Sequence, residues 1–226
     1  MHGLNPRSKS DEDHAWDTWR TPSGEDGQLW LRDDLPRCVD ESRIFLYRYD
    51  ATVVYGKDRG TFIGKASELL EAIRIKRRGI EARPILFLGH SMGGLLIKQA
   101  LINAHNNPKY SSIEDATSGI SFFATPHHGG DWRLVSLGSL TAKLAKQAGF
   151  KKGESVMDTL REGSIFSEIM HEQWRHRLLR YDLVSFWGAH DDVSRQKSFP
   201  TTPLTQDRSF LWQALDSVCQ EIAKTW

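Results

Sequence analysis

Apolar positions along the chain fall into two patterns, and the patterns alternate. Short unbroken or alternating runs stand at 43–49 (RIFLYRY), 84–88 (PILFL), 119–124 (GISFFA) and 181–187 (YDLVSFW). Runs of this length between turn residues read as strands, and the unbroken ones suit strands covered on both faces. Between them lie helical patterns. Phe62, Ala66, Leu69, Leu70 and Ile73 mark an amphipathic helix over 61–78 that stops at Gly79. Residues 94–105 (GLLIKQALINAH) are apolar enough for a buried helix. Residues 131–179 read as helical, with breaks at Gly149, Gly153 and Gly163, and Leu211, Leu215, Val218 and Ile222 mark a terminal helix over 207–225. Residues 5–28 are polar and turn-rich around Trp16 and Trp19, which predicts a long surface loop with a short helix after it at about 28–37. Strands alternating with helices predict an α/β fold with a mainly parallel sheet.

Composition narrows the picture without redirecting it. A chain of 226 residues suits one domain, so 1–226 is read as a single unit. Lys and Arg number 30 against 29 Asp and Glu, which leaves no electrostatic footprint for nucleic acid. No apolar run reaches the roughly 20 residues of a transmembrane segment. The polar N-terminus lacks the apolar core of a signal peptide, and the distant pair Cys38 and Cys219 fits neither a zinc site nor a disulfide framework. A reducing, cytoplasmic setting follows as the expectation, with no cofactor and no metal.

Gly89-His90-Ser91-Met92-Gly93 is a G-x-S-x-G pentapeptide between a predicted buried strand and a predicted buried helix. That context is what a nucleophile elbow requires. The turn would strain the serine backbone, hold its hydroxyl clear of the sheet and aim the Met92 N–H at a tetrahedral oxyanion. His2-Gly3-Leu4 matches the HG-x pattern that supplies a second oxyanion donor, here the Leu4 N–H. Asp191, three residues past Gly188, stands where a triad acid follows a later strand, with Asp192 its near neighbour. No histidine follows Asp191, although the order serine, acid, histidine requires one. His127 and His128, after strand 119–124, and His190, beside Asp191, are the candidates for a substitute base. His171 and His176 read as solvated, and His14 and His105 have no partner in the pattern. Residues 131–180 lie where a lid is inserted, and Leu134, Leu137 and Leu140 could face an acyl pocket.

Taken together, HGLNP, RIFLYRYD, FLGHSMGGLLIKQAL, FFATPHHGGD and SFWGAHDDV resemble a lipase-like α/β-hydrolase family. It includes the serine active site-containing proteins and GPI inositol-deacylase-like lipases, and the resemblance is nearest to hydrolase domains at the N-terminus of fungal NOD-like receptors. The resemblance spans about 2–193 and implies an α/β-hydrolase fold with a helical lid. It implies Ser91 as nucleophile, Asp191 as acid, Leu4 and Met92 as oxyanion donors, an ester or lipid substrate, and mitochondrial or endoplasmic-reticulum association as an option. The family has strands before its HGL motif and a last strand that delivers the histidine. Residues 194–226 match neither, so the resemblance implies an incomplete sheet, marginal stability and impaired catalysis. The other reading is a non-catalytic signalling or protein-interaction module on the same fold.

Overall fold

The computed structural model of the chain describes residues 1–3, 5, 10–21, 27–37, 41–51, 59–125 and 165–186. Its centre is a three-stranded parallel sheet. Strands β3 (Ile85–His90), β4 (Thr117–Phe123) and β5 (Asp182–Phe186) stand side by side in that order. β4 is the middle strand and is buried almost throughout, as its unbroken apolar run predicts. A separate two-stranded antiparallel ribbon joins β1 (Arg20–Thr21) to β2 (Gln28–Leu29).

Helices cover the sheet because side chains alternate across each strand. Phe87, Ile120 and Phe122 join the main core with α3 (Arg59–Lys76) and α4 (Met92–His105). On the other side Leu86, Leu88, Phe123 and Phe186 pack against Trp19, Trp30, Leu31 and Leu35. Two of these residues belong to α2 (Trp30–Asp33). α4 is buried along nearly its whole length, including Lys98. The Lys98 ammonium lies 5.5 Å from the ring centres of both Phe122 and Trp174, and burial pulls its pKa down to about 7. Asn103 ties α4 to α3 by donating to the Ile63 carbonyl at 3.0 Å and to Ser67 Oγ at 2.9 Å. Trp174 belongs to α6 (Ile165–Arg175), which falls inside the predicted helical stretch.

The expected α/β fold with a parallel sheet is present among the described residues. Four local expectations need correction. Residues 5–28 are not simply a surface loop: α1 (Asp11–Asp17) is capped by Ser10, whose Oγ accepts from the Asp13 N–H, and Ala15 and Trp19 are buried. The acidic run Asp11–Asp13, which suits solvent, is also favourable in a helix's first turn. The predicted strand 43–49 carries no ladder among the described residues, and Phe45 is 56% exposed. Alternation alone does not make a strand when no neighbouring edge reaches it. A short helix α5 (Ser111–Ala116) precedes β4 without an apolar pattern to announce it, and His105, for which the pattern offers no partner, meets Glu114 at 2.9 Å. The predicted lid over 131–180 lies mostly outside the described residues, and the predicted terminal helix over 207–225 lies wholly outside them.

Candidate active site

The carboxyl ends of the three parallel strands share one edge of the sheet. The strands continue to bond past their ends. The Ser91 N–H donates to the Phe123 carbonyl at 2.7 Å, and the Ala124 N–H donates to the Phe186 carbonyl at 2.8 Å. In open α/β sheets this is the edge where ligands collect.

Ser91 is the single residue between β3 and α4. Its backbone lies at φ 51°, ψ −127°, a region that side-chain-bearing residues rarely occupy and that costs about 1–3 kcal/mol. Its carbonyl accepts the Gly94 N–H at 3.2 Å, which closes the first turn of α4. Gly89 and Gly93 flank this turn, and close backbone approach explains the second of them. A Cβ at Gly93 would stand 2.3 Å from the His2 carbonyl oxygen. Met92 opens α4 and is buried.

The N-terminal segment lies directly on the turn. The Met1 amino group donates to the Leu88 carbonyl at 2.9 Å, and the His90 N–H donates to the Met1 carbonyl at 3.0 Å. A Cβ at Gly3 would stand 2.7 Å from Ser91 Cβ and 3.1 Å from Ser91 Oγ. The serine is therefore roofed and only 6% exposed, whereas the sequence predicts a hydroxyl standing clear of the sheet. Leu4 itself lies outside the described residues, but its neighbours His2, Gly3 and Asn5 are buried here.

Three imidazoles gather behind the turn. The His2 ring stacks on Tyr49 at 4.4 Å and meets His14 edge-on at 5.1 Å. His2 Nδ1 lies 2.9 Å from the Gly3 carbonyl, and the Tyr49 N–H approaches His2 Nε2 at 3.4 Å. That pattern fits a neutral ring with its proton on Nδ1. Burial holds the His2 pKa down at about 4, and the nearby His14 and N-terminus push the same way. Burial likewise lowers His90 to about 4, and its enclosed Nδ1 has no hydrogen-bond partner among the described residues. Burial also takes the Met1 amine down to about 5.

Sequence reasoning does not reach this cluster. The only signal is the HGL motif, which draws attention to its leucine rather than its histidine. His127 and His128 follow the end of β4, and His190 and Asp191 follow the end of β5, but all four lie outside the described residues. His171 and His176 are exposed on and just after α6, as expected. Among the described residues, Ser91 Oγ makes no hydrogen bond, and no group of three or more His, Cys, Asp or Glu could hold a metal. No helix among the described residues is long and apolar enough to cross a membrane.

No family model matches the chain. It is 34% identical over 107 residues to Protein SERAC1 of Homo sapiens, covering 45% of this chain and 15% of that protein. Against the Mus musculus protein it is 32% identical over 134 residues, covering 57% of this chain and 18% of that one. The Danio rerio protein is 35% identical over 107 residues, 44% of this chain and 15% of the relative. The match thus spans less than a fifth of the length of these curated relatives. Among solved structures, the crystal structure of Bacillus licheniformis lipase BlEst2 in mature form aligns at a TM-score of 0.41 and 21% identity, over 64% of this chain and 51% of that one. Over about half of its length, then, the chain is similar to the SERAC1 proteins, and its described residues form a parallel sheet with a strained serine turn at the carboxyl end of one strand.

Proposed function

We propose that this chain is a serine ester or lipid hydrolase-type domain in which Ser91 is the nucleophile. One observation carries the reading: a serine at φ 51°, ψ −127° at the junction of a buried parallel strand and a buried helix. Folding alone has no use for that strain, since glycine would relieve it at no cost in capping; Ser91 makes no side-chain cap bond. In the proposed reaction Ser91 Oγ attacks an ester carbonyl, and the backbone N–H groups of Met92 and Leu4 receive the oxyanion. The alcohol leaves, and water releases the acyl group from Ser91. Asp191 is the acid of the triad.

The base is the weak point of the machinery. A serine hydroxyl reacts slowly unless an imidazole takes its proton. His2 and His90 are held neutral at neutral pH, but neither hydrogen-bonds to Ser91 Oγ. His127, His128 and His190 are the imidazoles that follow the same sheet edge. Turnover is therefore expected to be impaired. That no base bonds Ser91 Oγ among the described residues favours the second reading, a non-catalytic interaction module on a hydrolase fold.

A fluorophosphonate probe separates the two. Labelling of the folded chain that disappears in Ser91→Ala supports an activated serine. A folded chain that takes no label overturns the hydrolase reading for this polypeptide.

A further inference from the structure

A cavity of about 400 Å³ opens at the amino ends of the strands, the end of the sheet away from Ser91. Its volume lies within the roughly 300–1,000 Å³ of small-ligand sites. The floor is one face of the sheet. Leu86, Gly119 and Asp182 form one row across the three strands, and Leu88, Ser121 and Val184 form the next. Gly119 leaves its place in the row without a side chain, and Leu86 leans over it: a Cβ there would stand 2.9 Å from Leu86 Cδ1. Trp19, Leu31 and Leu35 stand over the deep end, while α3 and residues 42–47 form the sides.

Charge gathers at the mouth. Arg77 donates to the Arg83 carbonyl and Arg83 to the Glu41 carbonyl, so the end of α3, the start of β3 and the 41–43 segment meet there. With Lys76 and Arg43, four cations line this end. Among the described residues none of the four is ion-paired with a carboxylate. Asp182 is the one carboxylate among the described lining residues, and β4 separates it from β3 by about 10 Å, two inter-strand spacings. Cations near a helix C-terminus are favourable without any ligand. That accounts for Lys76 and Arg77 but not for Arg43 and Arg83, which come from other elements.

We infer that the cavity binds a single-chain anionic amphiphile, its carboxylate or phosphate head among Arg43, Lys76, Arg77 and Arg83 and its alkyl tail over Leu86, Leu88 and Val184. From Pro84 to Leu88 the floor runs about 13 Å at roughly 3.3 Å per residue, a span that a medium-length alkyl chain covers. Ser118 does not compete for the head, because its hydroxyl donates to the Ile85 carbonyl at 3.2 Å. The site lies at the opposite end of the strands from Ser91, so the inference does not rest on that serine being a nucleophile.

The test is calorimetry on the full chain with laurate below its micelle concentration. One site with a Kd below about 100 μM is expected. Decanoate, two methylenes shorter, should bind about tenfold more weakly, and so should uncharged dodecanol. Dodecyl phosphate should match laurate to within about tenfold, and the tighter of the two names the head group. Arg43→Glu and Lys76→Glu, at exposed sites, should each weaken laurate about two- to fivefold with the urea midpoint unchanged. Val184→Phe fills the floor and should abolish binding; if it does not fold, the two exposed variants carry the test. Laurate with a photoreactive tail should cross-link to peptides holding 84–88 or 182–186. The proposal is overturned by no binding at about 1 mM laurate, by dodecanol binding as tightly as laurate, or by unchanged affinity when both exposed cations are reversed. Cross-links confined to the Ser91 turn also overturn it. So does a dimer that Val184→Phe dissociates and laurate does not, which marks a second copy as the occupant.

Discussion

Gly93→Ala tests how tightly the N-terminal segment grips the turn. In an ordinary helix this change stabilises by about 1 kcal/mol, because glycine is the poorer helix former. At Gly93 the new Cβ would meet the His2 carbonyl oxygen at 2.3 Å and the Met1 carbonyl oxygen at 3.0 Å. Both are backbone atoms, so the segment itself must move. Moving it puts three hydrogen bonds at risk: Met1 amine to Leu88, His90 N–H to Met1, and Tyr49 Oη–H to the His2 carbonyl at 2.7 Å. At about 1 kcal/mol each they outweigh the propensity gain, for a net loss of about 2 kcal/mol. Gly64→Ala is the matched control. Gly64 lies in α3, and a Cβ added there would have nothing within 4 Å, so the change should gain about 0.5–1 kcal/mol. Urea midpoints at constant slope read both changes. If Gly93→Ala raises the midpoint as Gly64→Ala does, the segment does not hold the turn.

Two more outcomes are expected. Ser91→Gly should raise stability by about 1 kcal/mol while abolishing fluorophosphonate labelling, because it releases backbone strain and loses no cap bond; a lower urea midpoint would contradict the strain at this residue. Stability should also fall as pH drops from about 6.5 towards 4. His2 and His90 titrate near 4 in the folded chain against about 6.5 when unfolded, so over that window the unfolded state binds more protons. At pH 5 the loss is at most about 2 kcal/mol for each of His2 and His90; a urea midpoint unchanged between pH 7 and pH 5 would refute it.

What is legible in the sequence is whatever local periodicity controls. The unbroken runs at β3, β4 and β5 and the stripe of α3 can be read because burial on two faces, or on one helical face, leaves a direct mark. The serine turn can be read because its glycines are a steric requirement. The ladder at 43–49 cannot be judged from alternation, since it depends on a neighbouring edge supplied from elsewhere in the chain. α1 hides behind acidic residues that serve a helix start. The three imidazoles are invisible for a similar reason. His2, His14 and His90 are far apart in sequence, and only the return of the N-terminal segment to β3 brings them together.

The bond between Met1 and Leu88 joins residues 87 positions apart. Closing a loop of that length costs about 4 kcal/mol of chain entropy, before any contact rewards it. At roughly 5–20 residues per second, a ribosome needs several seconds to make the strand that Met1 pairs with. The roof over the serine therefore closes late in folding, after α3, β3 and α4 have been synthesised, and a nascent chain carries its strained turn uncovered until then.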